Sequence, residues 1–511
     1  MTRLPDVEPL DEYNRTLLSN VRPADWKNPE PSGRYNLVVI GAGSAGLITA
    51  AVAAGLGAKV ALVERHLLGG DCLNVGCVPS KGLIRASRMV AETRRAAREL
   101  GLPEPGPAAP DFGAAMRRVR RVRATISHED SARRYRDELG VEVFLGDARF
   151  SGPETVEVGG SALRFKKAVI ATGARPAVPA IPGLAEAGFR TNETIFNLTE
   201  RPARFGVIGG GPIGCEMAQA FRRLGSEVVL FDQAEHLLAR EDADAAEIVQ
   251  RRFREEGIRL LLGAQIRKVE GRGGVRAVHV ACADGSAEEV PVDELLLGVG
   301  RVPNVEGLGL EAAGVDFDEH RGVGVDDHLR TSNKRIFAAG DIAMRWKFTH
   351  AADAAAKIVV QNALFPFLPG KKLSSLVMPW CTYTDPEVAH VGLSAHDAAE
   401  RGIEIDTYKV PLSEVNRAVA DGEDEGFVKI HVKQGSDTLV GATIVAAHAG
   451  EMISEVTLAM VGKLGLKTLL EVIHPYPTQA EAIKRAASAY TRSRLTPRVA
   501  RILSRLMAFQ R

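Results

Sequence analysis

Cysteine is scarce in this 511-residue chain. Its five cysteines, Cys72, Cys77, Cys215, Cys282 and Cys381, are too few and too scattered for the disulfide framework of a secreted domain. No signal-peptide pattern precedes them, so a cytoplasmic protein is expected. Excess charge is missing as well: 65 Lys and Arg against 64 Asp and Glu leave a formal net charge of +1. No global field therefore points to nucleic acid, and any basic surface must be local. An uninterrupted apolar run of membrane-spanning length is also lacking. Residues 37–63 come nearest, but glycines at 41, 43, 46, 55 and 57 break them into strand, turn, helix and strand. The length suggests roughly three or four domains.

What is present is a repeated dinucleotide signature. The apolar residues 35–40 run into Gly41-Ala42-Gly43-Ser44-Ala45-Gly46, an alanine-rich helix and a second strand ending at Glu64. In such a unit the first glycine permits a tight turn and the second lets backbone approach a pyrophosphate. The third lets helix pack on strand, and the helix N-terminus attracts phosphate charge. Glu64 then stands where a carboxylate accepts ribose hydroxyls.

The pattern recurs 168 residues later, with Gly209-Gly210-Gly211-Pro212-Ile213-Gly214 closed by Asp232; both glycine-to-acid offsets are 23. One glycine fingerprint can be an ordinary turn. Two in register, each closed by an acid, imply two bound dinucleotides, with FAD and NAD(P)H the natural pair. Ala171-Thr172-Gly173 and Ala338-Ala339-Gly340-Asp341 each follow a short apolar strand, at the strand ends where α/β ligands bind.

Cys72 and Cys77 lie in Gly69-Gly70-Asp71-Cys72-Leu73-Asn74-Val75-Gly76-Cys77-Val78-Pro79-Ser80-Lys81. On an ideal helix that spacing separates Cα atoms by roughly 8.7 Å, beyond the usual disulfide range. A bond between them needs a distorted turn, which Gly76 and Pro79 favour; two buried thiols are the plainer alternative.

Over about residues 34–490 the sequence resembles the pyridine nucleotide-disulfide oxidoreductases, the family of glutathione reductase, lipoamide dehydrogenase and mercuric reductase. The resemblance rests on the cysteine segment, both fingerprints and Ala171-Thr172-Gly173. It extends through Gly298-Val299-Gly300-Arg301-Val302-Pro303-Asn304, Gly340-Asp341 and Tyr383-Thr384-Asp385-Pro386-Glu387-Val388-Ala389.

The resemblance implies an α/β fold with two Rossmann-like dinucleotide-binding domains, for FAD and NAD(P), and a C-terminal α+β dimerisation domain. The implied division is an N-terminal extension (1–34), a split FAD-binding domain (35–185 and 306–373), an NAD(P)-binding domain (186–305), an interface domain (374–490) and a basic amphipathic helix (491–511). A homodimer would share its active sites across the interface. Cys72 and Cys77 would form the redox-active disulfide, with Cys77 against the flavin and Cys72 meeting the acceptor. Lys81, paired with Glu216, would sit near the flavin. Gly41, Gly43, Ser44, Gly46, Glu64, Gly70, Asp71, Ala148, Thr172, Gly173, Gly340, Asp341 and Thr349, with Lys81, would contact cofactor. Gly209, Gly211, Gly214, Asp232, Gly300 and Arg301 complete the implied cofactor-binding set. Asp232, followed immediately by Gln233 and Ala234 with no basic residue, favours NADH over NADPH.

The relatives' His-Pro-Thr-x-x-Glu motif departs here. Counting back from Glu481 through Pro477-Thr478 puts Tyr476 at the histidine position, and His474 falls two residues earlier, as a base or a structural residue. Tyrosine there resembles mercuric reductases, and points to a soft metal ion or small electrophile accepted at Cys72 and Cys77, with no structural metal. The vicinal C-terminal cysteine pair of those enzymes is absent, since the last cysteine is Cys381. The alternatives are a dihydrolipoyl dehydrogenase-like or glutathione reductase-like enzyme and, in another class, a non-catalytic redox or metal sensor.

Residues 1–34 read equally as a disordered arm or as a segment packed along the dimer. Arg117, Arg118, Arg120, Arg121 and Arg123 read as one solvated helix face. From Lys484 to Arg511 there are eight cations and no acid, with Val499, Ile502, Leu503, Leu506 and Met507 on one helical stripe. Packing on the protein's own dimer is the plainer expectation for that stripe, and a peripheral membrane or partner contact the other.

Overall fold

The computed structural model describes residues 7–101 and 110–511; residues 1–6 of the expected extension and 102–109 of the expected FAD-binding part lie outside these. The chain divides into two compact units. The first takes the chain to Gly209, then Met217–Gln233 and Ala264–Leu376; the second comprises Gly210–Glu216, Ala234–Gly263 and Val377–Arg511.

In the first unit the strand Arg34–Ile40 pairs in parallel with Val60–Glu64 on one side and Ser161–Ile170 on the other. Val60–Glu64 is buried along its whole length, as parallel strands covered on both faces require. Glu142–Leu145 extends the sheet beyond it. Ser161–Ile170 is bifunctional: its first half pairs antiparallel with Thr155–Val158, and its last residues pair in parallel with Ile336–Ala338. The chain thus returns to its first sheet after an excursion through a second parallel set, in which Arg204–Ile208 lies between Glu227–Phe231 and Glu294–Leu297. Both expected strand–helix–strand units form.

Residues 7–34 are tied down rather than loose. The helix Glu12–Val21 packs beside Phe112–Ile126, and Asp11 caps it while also pairing with Arg120 at 2.6 Å. Arg123 donates to Asn14 Oδ1 and to the Asn74 carbonyl, each at 2.6 Å, and Trp26 and Asn28 bond the strand Glu142–Leu145. The arginine run is therefore not one solvated face. Arg120 and Arg123 are buried, with Arg123 pushed down to about 10 by burial.

In the second unit a five-stranded antiparallel sheet runs Pro379–Thr382, Glu387–Gly392, Leu439–Ala446, Phe427–Lys433, Ile405–Pro411. The helices Ala449–Val461 and Glu481–Ser493 pack on it through a core that includes Val428, Ile430, Ile444, Ile453, Val456 and Ile483. Cys381 lies within the edge strand, half-buried with its Sγ facing the Thr382 carbonyl. Among the described residues no helix is long and apolar enough to cross a membrane.

Glu241, also in this unit, accepts a 2.5 Å bond from Trp380 Nε1, while its Oε2 is buried with no hydrogen-bond partner among the described residues. Burial first, then neighbouring Asp242, pushes its pKa up to about 7 against the pull of Trp380 and Arg240. The folded protein keeps this proton between the unfolded value near 4.5 and about 7, where the unfolded chain has released it. Stability therefore falls as pH rises through that window, by on the order of 3 kcal/mol, and is flat above it. Glu241→Gln, which keeps the acceptor for Trp380, is expected to shrink the difference in Tm between pH 5 and pH 8. An unchanged difference would rule out Glu241 as its source.

Candidate active site: the Cys72–Cys77 turn

The first glycine turn has no room for a side chain at its first and last glycines. Gly41 sits at φ +99°, where a Cβ would lie 2.4 Å from the Ala171 carbonyl oxygen, and a Cβ on Gly46 would lie 1.8 Å from that of Gly41. The helix Ser44–Gly55 starts after Gly43 with no side-chain cap, so its first N–H groups remain open for an anion. Glu64 closes the turn, its carboxylate accepting from the Ala42 and His66 N–H groups, each at 2.7 Å; burial raises its pKa against those bonds. Gly146 N–H donates to the Glu64 carbonyl, which brings Ala148 to the same sheet end. Gly340, at φ +84°, lies against Ala45, and Thr172 and Gly173 are bridged to Asn304.

The cysteine segment docks on that turn. A Cβ on Gly70 would lie 2.6 Å from Gly43 Cα, and Gly69 N–H bonds the Ala42 carbonyl at 2.9 Å. The helix Gly70–Asn74 carries Cys72 and then breaks at Val75 and Gly76. A new helix, Cys77–Leu100, starts with Cys77. The turn is thus distorted in the way a bond between the two cysteines would need, and both cysteines are thiols in this structure. Gly76 is needed because a Cβ there would lie 2.8 Å from the Asp71 carbonyl oxygen, and Pro79 falls in the first helical turn, where a missing N–H costs nothing.

The two thiols hydrogen-bond each other. That pairing first, then burial, raises the Cys72 pKa, with Thr349 acting in the opposite sense and Asp130 in the same. Thr349 Oγ1 is 3.4 Å from Cys77 Sγ, and both residues open helices, Thr349–Leu364 and Cys77–Leu100. Two helix N-termini thus converge on one sulfur and favour negative charge there. Lys81 lies one turn further along the Cys77 helix, half-buried. Asp71 accepts from Arg301, whose Nε is 3.1 Å from Asp341; burial raises the Asp341 pKa against that pairing.

Three residues that hold this turn were not expected from the sequence. Asn74 bonds the Leu68 and Gly70 carbonyls, Arg123 donates to the Asn74 carbonyl, and Asp130, pushed up to about 6 by burial, acts on Cys72. Asn74 alone had a local cue, its place inside the cysteine motif.

Of the second fingerprint, Gly209 stands at φ +108°, where a Cβ would lie 2.6 Å from the Gly298 carbonyl oxygen, and Asp232 directly follows the strand Glu227–Phe231. Gly300 has φ +119°, which only glycine adopts freely. In the second unit Gly211 borders open space and Gly214 lies in the first turn of the helix Pro212–Arg223. Glu216 on that helix is buried and accepts from the Tyr383 N–H at 3.0 Å.

The segment 474–481 also lies in the second unit. His474 Nε2 is 3.1 Å from both oxygens of Glu455 and its ring is buried. Tyr476 is 71% exposed, its hydroxyl accepting from Asn416 Nδ2. Glu481 pairs with Arg485 at 3.0 Å. Four buried polar atoms here, His474 Nδ1, Thr478 Oγ1, Gln479 Oε1 and Glu481 Oε2, have no hydrogen-bond partner among the described residues.

Residues 35–356 match the pyridine nucleotide-disulphide oxidoreductases, and residues 378–487 match that family's dimerisation domain. The chain belongs to this family.

It is 35% identical over 459 residues to a mercuric reductase of Lysinibacillus sphaericus, covering 89% of this chain and 82% of that one. To a dihydrolipoyl dehydrogenase of Chlamydia muridarum it is 34% identical over 454 residues, 88% of this chain and 95% of that one. The solved Cu(II) complex of the HOCl-induced flavoprotein disulfide reductase RclA from Escherichia coli superposes with a TM-score of 0.79 at 27% identity, over 90% of this chain and all of that one.

The protein is therefore a flavin-dependent oxidoreductase that uses FAD and NAD(P)H. The tight first glycine turn, the uncapped helix behind it and the Glu64 carboxylate fit a dinucleotide. The neighbouring cysteine turn fits a flavin that, when bound, takes two electrons from the nicotinamide and delivers them to a disulfide. Thr349 and the two helix ends surround Cys77 with groups that favour negative charge, and the Arg301–Asp341–Asp71 chain fixes the start of the cysteine helix.

Proposed function

We propose that the enzyme oxidises NADH and passes the electron pair through a Cys72–Cys77 disulfide to a soft metal ion, with Cys72 meeting the acceptor. The observation that carries this reading is the fate of the imidazole. The one histidine of segment 474–481 is buried against Glu455, so the exposed group at the family's proton-handling position is the phenol of Tyr476. A disulfide acceptor needs a proton for its leaving thiol, whereas two-electron reduction of a divalent metal ion needs none. NADH and the ion become NAD+, the metal and one proton. A soft thiolate pair suits such an ion.

The roles assigned to the site residues belong to the same proposal, with Lys81 supplying positive charge beside the thiolates. So do the FAD-binding parts at 35–185 and 306–373, the NAD(P)-binding part at 186–305 and a cytoplasmic setting. Homodimer assembly is supported by the dimerisation domain, by the exposed Leu458, Val461 and Ile473, and by the four unpartnered buried atoms of segment 474–481. In the dimer, Tyr476 of the partner subunit would face Cys72.

The test is steady-state oxidation of NADH and NADPH by purified enzyme against Hg(II), Cu(II), oxidised glutathione and lipoamide. Metal ions should turn over and the disulfides should not; the reverse ranking would make the enzyme a disulfide reductase. NADH is expected to have a kcat/KM about tenfold above that of NADPH, because a carboxylate at Asp232 bonds free ribose hydroxyls and repels a 2′-phosphate. A higher kcat/KM for NADPH would refute the assignment of Asp232.

A further inference from the structure

The helix Glu481–Ser493 is part of the second unit's core, with Ala482, Ile483, Ala486, Ala487 and Tyr490 buried. The next helix, Pro497–Phe509, buries nothing. It is a well-formed element: Thr496 caps it by accepting from the Val499 N–H, and Pro497 opens its first turn. Yet Val499, Ile502, Leu503, Leu506, Met507 and Phe509 are all at least 40% exposed, with Phe509 at 92%. Among the described residues, hydrogen bonds made from Thr496 onward stay within residues 494–511.

At about 100° per residue the six apolar side chains fill an arc of about 160°, and Arg498, Arg501 and Arg505 lie together within about 60° along one flank. Ser504 and the small residues Ala500 and Ala508 fill the rest. Residues 482–511 carry eight cations and no acid, whereas the rest of the chain is acidic, with 57 Lys and Arg against 64 Asp and Glu. An occupant must cover a broad apolar face and at the same time offer anions along its edge. A nucleic acid supplies only the anions. A second copy already has a separate apolar surface for contact, Leu458, Val461 and Ile473 in the dimerisation domain.

We propose that Pro497–Phe509 seats the enzyme on an anionic lipid surface, its apolar arc in the headgroup–acyl boundary and its arginines on lipid phosphates. The helix lies in the plane of the surface and does not cross it.

The experiment is co-sedimentation of full-length, flavin-loaded enzyme with vesicles of phosphatidylcholine alone and of phosphatidylcholine mixed with phosphatidylglycerol. Binding is expected only to the mixed vesicles, weakening as salt rises. The triple variant Arg498→Gln, Arg501→Gln, Arg505→Gln and the double variant Ile502→Asp, Leu506→Asp should each lower it by at least roughly tenfold while leaving NADH oxidation in solution unchanged. Absence of binding to the mixed vesicles, or equal binding to both kinds, would overturn the proposal. So would protection of the helix from hydrogen exchange in lipid-free dimer, because a second copy would then be the occupant.

Discussion

Cys77→Ser and Cys72→Ser are each expected to lower acceptor turnover by roughly three orders of magnitude or more, the scale on which covalently acting groups are lost. FAD content and Tm should barely change. Both sulfurs belong to a turn whose backbone is fixed without them. Gly69 and Gly70 dock it on the first glycine turn, Asn74 and Arg123 clamp its middle, and Ser80 N–H bonds the Gly76 carbonyl at its end. Serine fits where cysteine was, so the fold should survive while the electron relay does not. The two variants should still differ. With Cys72 gone, Cys77 keeps Thr349 and two helix ends, and its lasting thiolate should add absorption at wavelengths beyond the main flavin bands without any reductant. With Cys77 gone that absorption should be absent on reduction. Wild-type-like spectra and turnover in both variants would end the relay.

The parts of this arrangement legible in the sequence are those that local rules control. The equal glycine-to-acid spacings gave both strand–helix–strand units, because tight turns and close approaches demand glycine whatever surrounds them. A bond across the five-residue cysteine spacing would need a broken helix, and a break falls at Val75 and Gly76. The arginine run misled because five charges in seven residues cover more than one face of a helix. Arg120 and Arg123 share a face with the buried Met116 and Val119, and their partners, Asp11 and Asn14, come from a segment more than 100 residues earlier. Asp130 and the Glu455 partner of His474 left no local signal either, since only tertiary packing brings them to their places. In the last helix the stripe was readable and its exposure was not.

Tyr476→His is expected to raise reduction of glutathione disulfide or lipoamide by at least about tenfold, since general acid–base assistance contributes roughly 10²–10⁴-fold where it is well placed. Phenols as a class carry protons poorly near neutrality, their ordinary pKa being about 10 against about 6.5 for imidazole. His474 cannot stand in for Tyr476 while its Nε2 lies against Glu455 and its ring is buried. A histidine at 476 would have an exposed position and a neighbouring amide, Asn416, whose Nδ2 now donates to the phenol. The gained activity should follow the new imidazole, changing with pH around about 6.5, while metal-ion reduction should show no such step. Tyr476→Phe separates the two uses of the ring. It keeps the apolar body and removes the hydroxyl, so it should lower metal-ion turnover more than the rate of cofactor reduction by NADH if the phenol itself meets the ion. Reduction of either disulfide by native enzyme at roughly 10 per second or faster would refute this role of position 476, because a proton route would then exist without an imidazole there.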